Sequence, residues 1–384
     1  MDFELPEDIR MMKEQLRRFV DKEIIPIERE AYEGPDMKPE VKSRLENKMK
    51  EMGYWLITTP TEYGGLGMGL LARVICWEEL GRTIALPSRK TQIFGPEPSP
   101  ILFQLNDEQK KDYLLPVIAG EKDCCFALTE PDAGSDPSGI RATAVRDGDD
   151  YVINGYKRFI TNAQHSDFAQ VIATVDRAKG GKGITAFLVD MDTPGVNIVR
   201  AEKTMMDDEP CEISFDNVRV PAWKRIGEEG EGFKLAQDWI NTGRIRHGAR
   251  GIGVIERCLE MATAYAKQRV TFGKPIADRQ AVQWMLVDSY LDLQQLRFLV
   301  YHAAWKYDRG EDVRYEAYIA KMLGDRLSFQ AADRCIQIHG GIAFTKELPI
   351  EKFWRDQRSM MITEGPEEVL RTALARHVLD RYAP

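Results

Sequence analysis

The 384-residue sequence lacks the features of membrane, secreted and nucleic-acid-binding proteins. No uncharged apolar run approaches the ~20 residues that a membrane-spanning helix needs. The acidic start, MDFELPEDIR, has no apolar segment of the signal-peptide type and is not Arg-rich like a transit peptide. Lys and Arg total 53 against 61 Asp and Glu, so the net charge of −8 provides no basic field for nucleic acid or anionic lipid. We therefore expect no nucleic-acid partner and no membrane association.

Cysteine and histidine are scarce and scattered. The six cysteines form no CxxC pair, and the five histidines have no metal-ligand spacing. Isolated thiols in a chain of this length are typical of reduced core residues. The sequence therefore predicts a cytoplasmic protein without a metal, whose histidines are structural or lie at the surface.

Residues 1–122 carry helical patterns. The segment LPEDIRMMKEQLRRFVDKEIIP is amphipathic up to Pro26, and EVKSRLENKMKEMGY and LLARVICWEELGR repeat the helical spacing. DEQKKDYLLPVIAG closes the region, and we expect Asp107 to be its N-cap. An all-α N-terminal domain is predicted over residues 1–122.

Residues 123–232 consist of short segments rich in Val, Ile, Thr and Phe. Turn signals such as Asn154-Gly155 and Pro194-Gly195 separate these segments, and no helical pattern intervenes. No GxGxxG follows a strand, which argues against a dinucleotide-binding βαβ unit. The pattern predicts a middle antiparallel β-domain over residues 123–232.

Helical periodicity returns over residues 233–384. Three long helices are predicted at 233–268, 281–309 and 314–338, and a shorter one opens at Pro366, a residue favoured at the first helical position. These four helices indicate a C-terminal four-helix bundle. The predicted fold class is α+β, with a helical N-terminal domain, a middle β-domain and a helical C-terminal bundle.

Four segments, in this order, resemble the acyl-CoA dehydrogenase flavoprotein family. They are ALTEPDAGSD (127–136), KRFITNA (157–163), QRVTFGKPIADRQ (268–280), and QIHGGIAF with RDQRSMMITEGPEEVLR (337–371). The resemblance covers nearly the whole chain. It implies the fold of that family, FAD as cofactor, an acyl-CoA substrate, and a homotetramer built as a dimer of dimers. It also implies that electrons pass to an electron-transferring flavoprotein.

The resemblance assigns flavin contacts to several positions. Thr129, Gly134 and Ser135 match a loop at the pyrimidine edge and pyrophosphate of the flavin, while Phe159 and Thr161 match residues at the isoalloxazine ring. Arg269 matches an arginine that reaches the FAD of a neighbouring subunit, where its fixed fork of donors suits a pyrophosphate. The implied FAD contacts in full are Phe126, Leu128, Thr129, Gly134, Ser135, Phe159, Thr161, Arg269, Thr271, Phe272, Gln280, Gln337, Gly340, Gly341, Pro366 and Glu368.

Glu364 matches the family's usual catalytic base. Removal of a weakly acidic α-proton requires a positioned base. The carboxylate stands just before a predicted helix, whose positive end lowers its pKa, and burial is expected to push the pKa back towards neutrality. A minority of the family places the base at the position of Gly243, which cannot accept a proton, so Glu364 is the single candidate.

Substrate contacts are implied for Ser135, Asn241, Arg244, Thr363 and Gly365. Thr363 stands where many straight-chain enzymes have Tyr, and Pro366 replaces the usual Thr on the cofactor side. Arg89 falls in a polar stretch near the expected floor of the acyl pocket. This stretch is either a solvated loop or a site where Arg89 or Gln92 meets a polar or acidic end of the acyl chain.

The leading functional hypothesis is FAD-dependent dehydrogenation of an acyl-CoA to the trans-2-enoyl-CoA. The alternatives are an enoyl-CoA reductase, an oxygen-using acyl-CoA oxidase or flavin monooxygenase on the same fold, and a non-catalytic acyl-thioester-binding protein. Chain length, branching and the choice between CoA and a carrier-protein thioester cannot be read from the sequence.

Overall fold

A computed structural model describes residues 4–86 and 93–382 of the chain. Packing divides the chain into two compact units, the first formed by residues 1–43, 67–91 and 241–384 and the second by residues 44–66 and 92–240. The N-terminal region contributes segments to both units. The predicted domain boundaries at residues 122 and 232 stay a prediction, since these units follow packing rather than chain order.

The first unit is helical. Its helices are α1 (Glu7–Phe19), the start of α2 (Pro39–Glu51), α3 (Gly69–Leu80), most of α7 (Gly232–Gln268), α8 (Gln280–Asp308), α9 (Arg314–His339), α10 (Ile350–Met360) and α11 (Glu367–Arg381). Two short hairpins, β1 (Tyr32–Glu33) with β2 (Asp36–Met37) and β11 (Val270–Thr271) with β12 (Lys274–Pro275), complete it. The C-terminal region therefore has one helix, α10, beyond the four that periodicity predicts.

Small residues bring α7 and α9 close together. A Cβ added to Gly324 of α9 would lie 2.6 Å from the Cα of Gly248 on α7, and one added to Gly248 would lie 3.0 Å from the carbonyl oxygen of Ala320. Because only glycine fits such a backbone approach, these two positions fix how the two helices pack. The side chains that flank Gly248 on α7 consequently face those around Gly324 on α9.

The second unit is built on one sheet. Its strands are β3 (Cys124–Ala127), β4 (Thr143–Asp147), β5 (Asp150–Ile160), β6 (Phe168–Thr174), β7 (Ile184–Asp190), β8 (Val196–Ala201), β9 (Cys211–Pro221) and β10 (Arg225–Ile226). They lie in the order β10-β7-β6-β4-β5-β9-β8, with β3 pairing with β6. The short helices α4 (Pro100–Phe103), α5 (Asp107–Gln109) and α6 (Leu115–Ala119) belong to the same unit.

The two faces of the sheet bury different cores. Strand β6 is buried along its whole length, with Ala169 and Val171 in one apolar cluster and Phe168 and Ile172 in another. Neighbouring side chains of a strand point to opposite faces, so both faces of β6 are covered. The prediction of a purely antiparallel sheet is wrong at β6, because both β3 and β4 pair with it in parallel.

The α+β architecture with helical ends and a β middle is confirmed, with small corrections at helix ends. Asn106, not Asp107, is the N-cap of α5: its side chain accepts a hydrogen bond from the Gln109 amide at 2.9 Å, and the Gln109 side chain accepts one from the Asn106 amide at 3.1 Å. Helix α11 begins at Glu367, with Pro366 as its N-cap. None of the helices in the described ranges is long and apolar enough to cross a membrane.

Candidate active site

Glu364 lies in a tight turn between α10 and α11. Its φ is 55°, a left-handed value that side chains seldom adopt, and Gly365 follows with φ 102°. Two cations hold this turn: Arg244 Nε donates to the Glu364 carbonyl at 3.0 Å, and Lys321 Nζ donates to the Met361 carbonyl at 3.1 Å. The strain of a non-glycine residue in this region, about 1–3 kcal/mol, is thus balanced by contacts from α7 and α9.

The two carboxylate oxygens of Glu364 have different surroundings. Oε1 accepts a hydrogen bond from Arg246 Nη2 at 2.9 Å and lies 3.6 Å from His247 Nε2. Oε2 is buried and has no hydrogen-bond partner, and a Cβ at Gly243 would lie only 2.3 Å from it. The first oxygen is therefore anchored, whereas the second is available to accept a proton.

The electrostatics around Glu364 favour its ionised form. Burial raises the pKa of this carboxyl, but the charges of His247, Arg246 and Arg244 outweigh burial and bring the pKa down to about 2. The expectation that burial moves this pKa towards neutrality is wrong for the chain by itself, because three cations converge on one carboxylate. Glu364 is therefore a carboxylate at any physiological pH.

His247 connects Glu364 to a second acid on α9. Its Nδ1 lies 3.0 Å from Asp325 Oδ1, and Asp325 Oδ2 forms an ion pair with Lys321 at 3.0 Å. Burial lowers the pKa of His247, but Asp325 and Glu364 together raise it above its usual value. The expectation that the histidines are merely structural or exposed misses this contact with the candidate base.

Sequence reasoning also missed Arg246. A signal for both residues is present, since Gly243, Arg246, His247 and Arg250 are spaced i, i+3, i+4 and i+7 and so share one face of α7. Because the position of Gly243 marks the face of α7 that is expected to lie towards the base, Arg246 and His247 could have been predicted as its neighbours.

The predicted substrate residues of the first unit lie around the same turn. The Arg244 guanidinium also stacks on Tyr318, 4.9 Å from the ring centre, and a Cβ at Gly365 would lie 3.3 Å from Arg244 Nη2. Thr363 donates to the Met360 carbonyl at 3.3 Å. Asn241 Oδ1 is buried without a hydrogen-bond partner. Arg89 and Gln92 lie outside the described residues.

The predicted flavin residues of the first unit include a hairpin tip. Phe272 and Gly273 both have positive φ, 50° and 80°, as a two-residue turn between β11 and β12 requires. The Phe272 ring is 98% exposed at this tip, and the Arg269 side chain is exposed beside it. An apolar ring presented so fully to solvent is suited to contact with another molecule.

The other predicted flavin residues of this unit are exposed or half-buried. No atom lies within 4 Å of a Cβ built at Gly340 or Gly341, so the surface there is open to a ligand. Thr271 and Pro366 are half-buried, and exposed side chains are those of Gln280, Gln337 and Glu368.

In the second unit a buried ion pair supports the loop that follows β3. Lys157 is fully buried and contacts Glu130 Oε1 at 2.7 Å and the Leu128 carbonyl at 2.9 Å. Glu130 also accepts hydrogen bonds from the amides of Arg141 and Ala142. These contacts fix both ends of the loop that carries the predicted residues Thr129, Gly134 and Ser135.

The remaining flavin residues of the second unit surround this loop. Phe126 packs on Trp239 with ring centres 4.4 Å apart, and Leu128 is half-buried in the same cluster. Phe159 has a φ of 57° and leaves 49% of its side chain exposed at the end of β5. Thr161 follows it and is half-buried.

The donor set of these positions suits FAD. Exposed aromatic rings at Phe159 and Phe272 can pack on a flavin or adenine ring, and the Arg269 guanidinium can bind a diphosphate. Hydroxyls at Ser135 and Thr161 and amides at Gln280 and Gln337 supply hydrogen-bonding groups for the polar edges of both rings. The residues fall into two sets, one in each unit.

Three other carboxylates, Glu78, Glu79 and Glu256, lie within metal-ligand distance of one another. Each is paired with a cation: Lys13 contacts Glu78 at 2.7 Å, and Arg17 contacts Glu79 at 2.7 Å and Glu256 at 2.5 Å. Arg297 also contacts Glu78 and Glu256, so three cations balance the three carboxylates and the cluster needs no metal for charge. The absence of a metal stays a prediction.

Family models match almost the whole chain. The acyl-CoA dehydrogenase N-terminal domain matches residues 6–121, the middle domain residues 125–218, and the C-terminal domain residues 230–379.

Characterised relatives are similar over nearly their full length. A 3-(aryl)acrylate reductase of Clostridium sporogenes is 37% identical over 379 residues, covering 97% of this chain and 99% of the relative. An acyl-CoA dehydrogenase of Bacillus subtilis is 36% identical over 375 residues, covering 96% and 97%. A subunit of the caffeyl-CoA reductase-Etf complex of Acetobacterium woodii is 35% identical over 382 residues, covering 98% and 99%.

Solved structures agree with this assignment. Butyryl-CoA dehydrogenase from Megasphaera elsdenii superimposes with a TM-score of 0.88 at 32% identity, covering 99% of this chain and 100% of that one. A structure described as PigA with FAD and proline has a TM-score of 0.89 at 27% identity, with the same coverage. The chain therefore belongs to the acyl-CoA dehydrogenase family of flavoprotein oxidoreductases.

Proposed function

We propose that this enzyme binds FAD and oxidises an acyl-CoA thioester to the trans-2-enoyl-CoA, with Glu364 as the base for the α-proton. The observation that carries the proposal is the unpaired Oε2 of an otherwise anchored carboxylate. FAD, when bound, would accept the β-hydride at N5. Electrons would then leave to an electron-transferring flavoprotein, a proposal supported by the relative named as part of an Etf complex.

The residues around Glu364 support this role in the proton transfer. Arg246 holds Oε1, so the carboxylate cannot rotate freely, and the free Oε2 keeps a constant direction. Gly243 leaves the space beside Oε2 that a larger residue would fill. Once Glu364 has taken the proton, His247 and Arg246 favour its release, because they stabilise the carboxylate over the neutral acid.

A reductase is the second candidate, and the names of the relatives favour it. The 3-(aryl)acrylate reductase and the caffeyl-CoA reductase subunit are as similar to this chain as the dehydrogenase is. The same base then supplies the α-proton instead of removing it. Anaerobic midpoint potentials of the bound flavin, with and without an acyl/enoyl-CoA pair, distinguish the two directions.

The proposed dehydrogenation is tested by anaerobic bleaching of the flavin with a panel of acyl-CoA thioesters. Glu364→Gln keeps the shape of the side chain but cannot accept the proton, so we expect bleaching to slow by about 10⁴-fold at unchanged FAD content. Glu367→Gln, which alters a neighbouring acid paired with Arg326, serves as the matched control and should stay within threefold of wild type.

Three outcomes would contradict the proposal. A bleaching rate of Glu364→Gln within tenfold of wild type would mean that another residue accepts the α-proton. A purified chain that stays colourless after addition of FAD would leave only the non-catalytic binding protein among the alternatives, while rapid reoxidation by oxygen during turnover would favour an oxidase.

We also propose a homotetramer in the cytoplasm. Helix α8 exposes large apolar side chains at a seven-residue spacing: Trp284, Leu291, Phe298 and Trp305. Such a stripe suits packing against a helix of another subunit. The six free cysteines are consistent with a reducing compartment.

A further inference from the structure

Several cations lie close to Glu364. Arg246 and Arg250 lie one turn apart on α7, Arg73 on α3 is close enough for its pKa to be lowered by the charge of Arg246, and the same charge acts on Arg250. In the described part of the chain, the one carboxylate that contacts Arg246 is Glu364. Asp356 acts on Arg250 but is already paired with Lys352.

Arg250 is buried, whereas Arg73 and Arg246 are half-buried. Arg250 is only 8% exposed and donates to the Leu86 carbonyl, and the Arg73 guanidinium lies over Trp77, 4.5 Å from the ring centre. Burial, with the added repulsion of Arg246, lowers the pKa of Arg73 to about 9 and that of Arg250 to about 10, so both remain cations at neutral pH. Arg246 therefore stands among like charges, which favours an anion beside it.

Donor atoms at this place are also unsatisfied. Arg246 Nε and Arg244 Nη1 are buried and have no hydrogen-bond partner. A buried donor without a partner costs roughly 1–3 kcal/mol, and more when it carries charge. Such an arrangement is favourable when an anion enters during function and satisfies the donors.

We propose that Arg246, with the neighbouring charge of Arg250, binds a carboxylate carried by the acyl group of the thioester, so that the substrate class is an acid-tailed acyl-CoA. This inference rests on the proposed function, since it places the carboxylate in the pocket where Glu364 removes the α-proton. A guanidinium fork matches the planar geometry of a carboxylate.

The test compares adipoyl-CoA with hexanoyl-CoA, thioesters of equal chain length, on the FAD-loaded enzyme. In wild type we expect kcat/KM for anaerobic bleaching to favour adipoyl-CoA. Arg246→Met should lower the adipoyl/hexanoyl ratio by about 30-fold or more, as expected when one partner of a buried charge pair is lost. The ratio cancels any change in Glu364 itself, because that change affects both substrates.

His247→Gln is the matched control. It also removes a cation from Glu364, but its other side faces Asp325, so it should slow both thioesters alike and leave the ratio unchanged. Arg246→Lys, which keeps the charge, should recover part of the ratio and guards against a folding defect. Binding to the inactive Glu364→Gln enzyme gives a second measurement: adding Arg246→Met should raise the Kd of adipoyl-CoA by at least about 30-fold and that of hexanoyl-CoA by less than threefold.

An unchanged adipoyl/hexanoyl ratio of kcat/KM in Arg246→Met, or equal weakening of both ligands, would overturn the inference. Arg246 would then act only as a partner of Glu364. Bleaching by hexanoyl-CoA would still support the proposed function in that case. Failure of every acyl thioester to bleach the flavin would instead overturn the proposed function.

Discussion

At the scale of single residues, the character of Glu364 depends on the side chains that surround it. A carboxylate before a helix is common, but this one has one oxygen bound by Arg246 and another facing the gap at Gly243. The neighbouring cations hold its pKa near 2, well below the ordinary value of a glutamic acid. A base of this kind is fully ionised before the substrate arrives, and its strength rises only as bound substrate excludes water.

The first prediction at this scale concerns the pH profile of His247→Gln. The wild-type carboxyl is ionised throughout pH 4.5–8, so Glu364 should add no acid limb to kcat/KM, which reports the free enzyme. Removing the His247 charge should raise the pKa of Glu364 by about 1–3 units, so that the rate at pH 4.5 falls relative to pH 7 in the variant.

Arg326→Met is the control for that profile, because Arg326 pairs with Glu367 at 3.1 Å and makes no contact with Glu364 in the described structure. Its profile should follow wild type. If His247→Gln also follows wild type down to pH 4.5, the histidine does not set the protonation of the base.

At the scale of elements, the buried pair of Lys157 on β5 and Glu130 fixes the loop after β3. Burial lowers the pKa of Lys157 to about 8, although Glu130 acts in the opposite direction. Lys157 joins β5 to the loop with Thr129, Gly134 and Ser135, the predicted flavin contacts.

Lys157→Met tests this role. The change leaves the Glu130 carboxylate buried without its cation, so we expect a loss of about 3–5 kcal/mol in the free energy of unfolding and a lower FAD content per chain. Urea unfolding and the ratio of flavin to protein absorbance measure the two effects. Lys48→Met, which breaks an exposed pair with Glu51, should change stability by less than about 0.5 kcal/mol. Full FAD retention in Lys157→Met would show that the loop does not need the ion pair.

At the scale of the whole molecule, the exposed stripe of α8 and the hairpin tip at Phe272 both present apolar surface to solvent. In the proposed homotetramer, these surfaces would lie at subunit contacts, and one subunit would contribute to the cofactor site of another. Leu291→Glu places a charge in the stripe, so we expect the oligomer to dissociate and FAD to be lost with it. Light scattering after size exclusion and the flavin-to-protein ratio report the two results.

Val145→Glu makes the same chemical change at an exposed apolar side chain of β4 and should alter neither property. Arg269→Ala should weaken FAD binding and the oligomer together if this arginine reaches the neighbouring cofactor. A dissociated Leu291→Glu chain that keeps its flavin would place the whole cofactor site within one subunit.

The sequence by itself determined the order of secondary structure and the identity of the candidate base. Helical and alternating patterns separate the α and β regions because they report which face of each element is buried. Glu364 follows from a local motif. These features depend on residues that are close in the chain.

Only the tertiary structure decided what stands around the base. Arg246 contacts Glu364, which lies 118 residues later in the chain. His247 contacts Asp325, 78 residues later, because Gly248 and Gly324 let α7 and α9 approach closely. The parallel pairing of β3 with β6 likewise depends on distant segments. A periodic pattern places Arg246 and His247 on one face of α7 but does not show which element covers that face. The contact of these cations with Glu364, which lowers its pKa, was therefore decided by the packing of the helices.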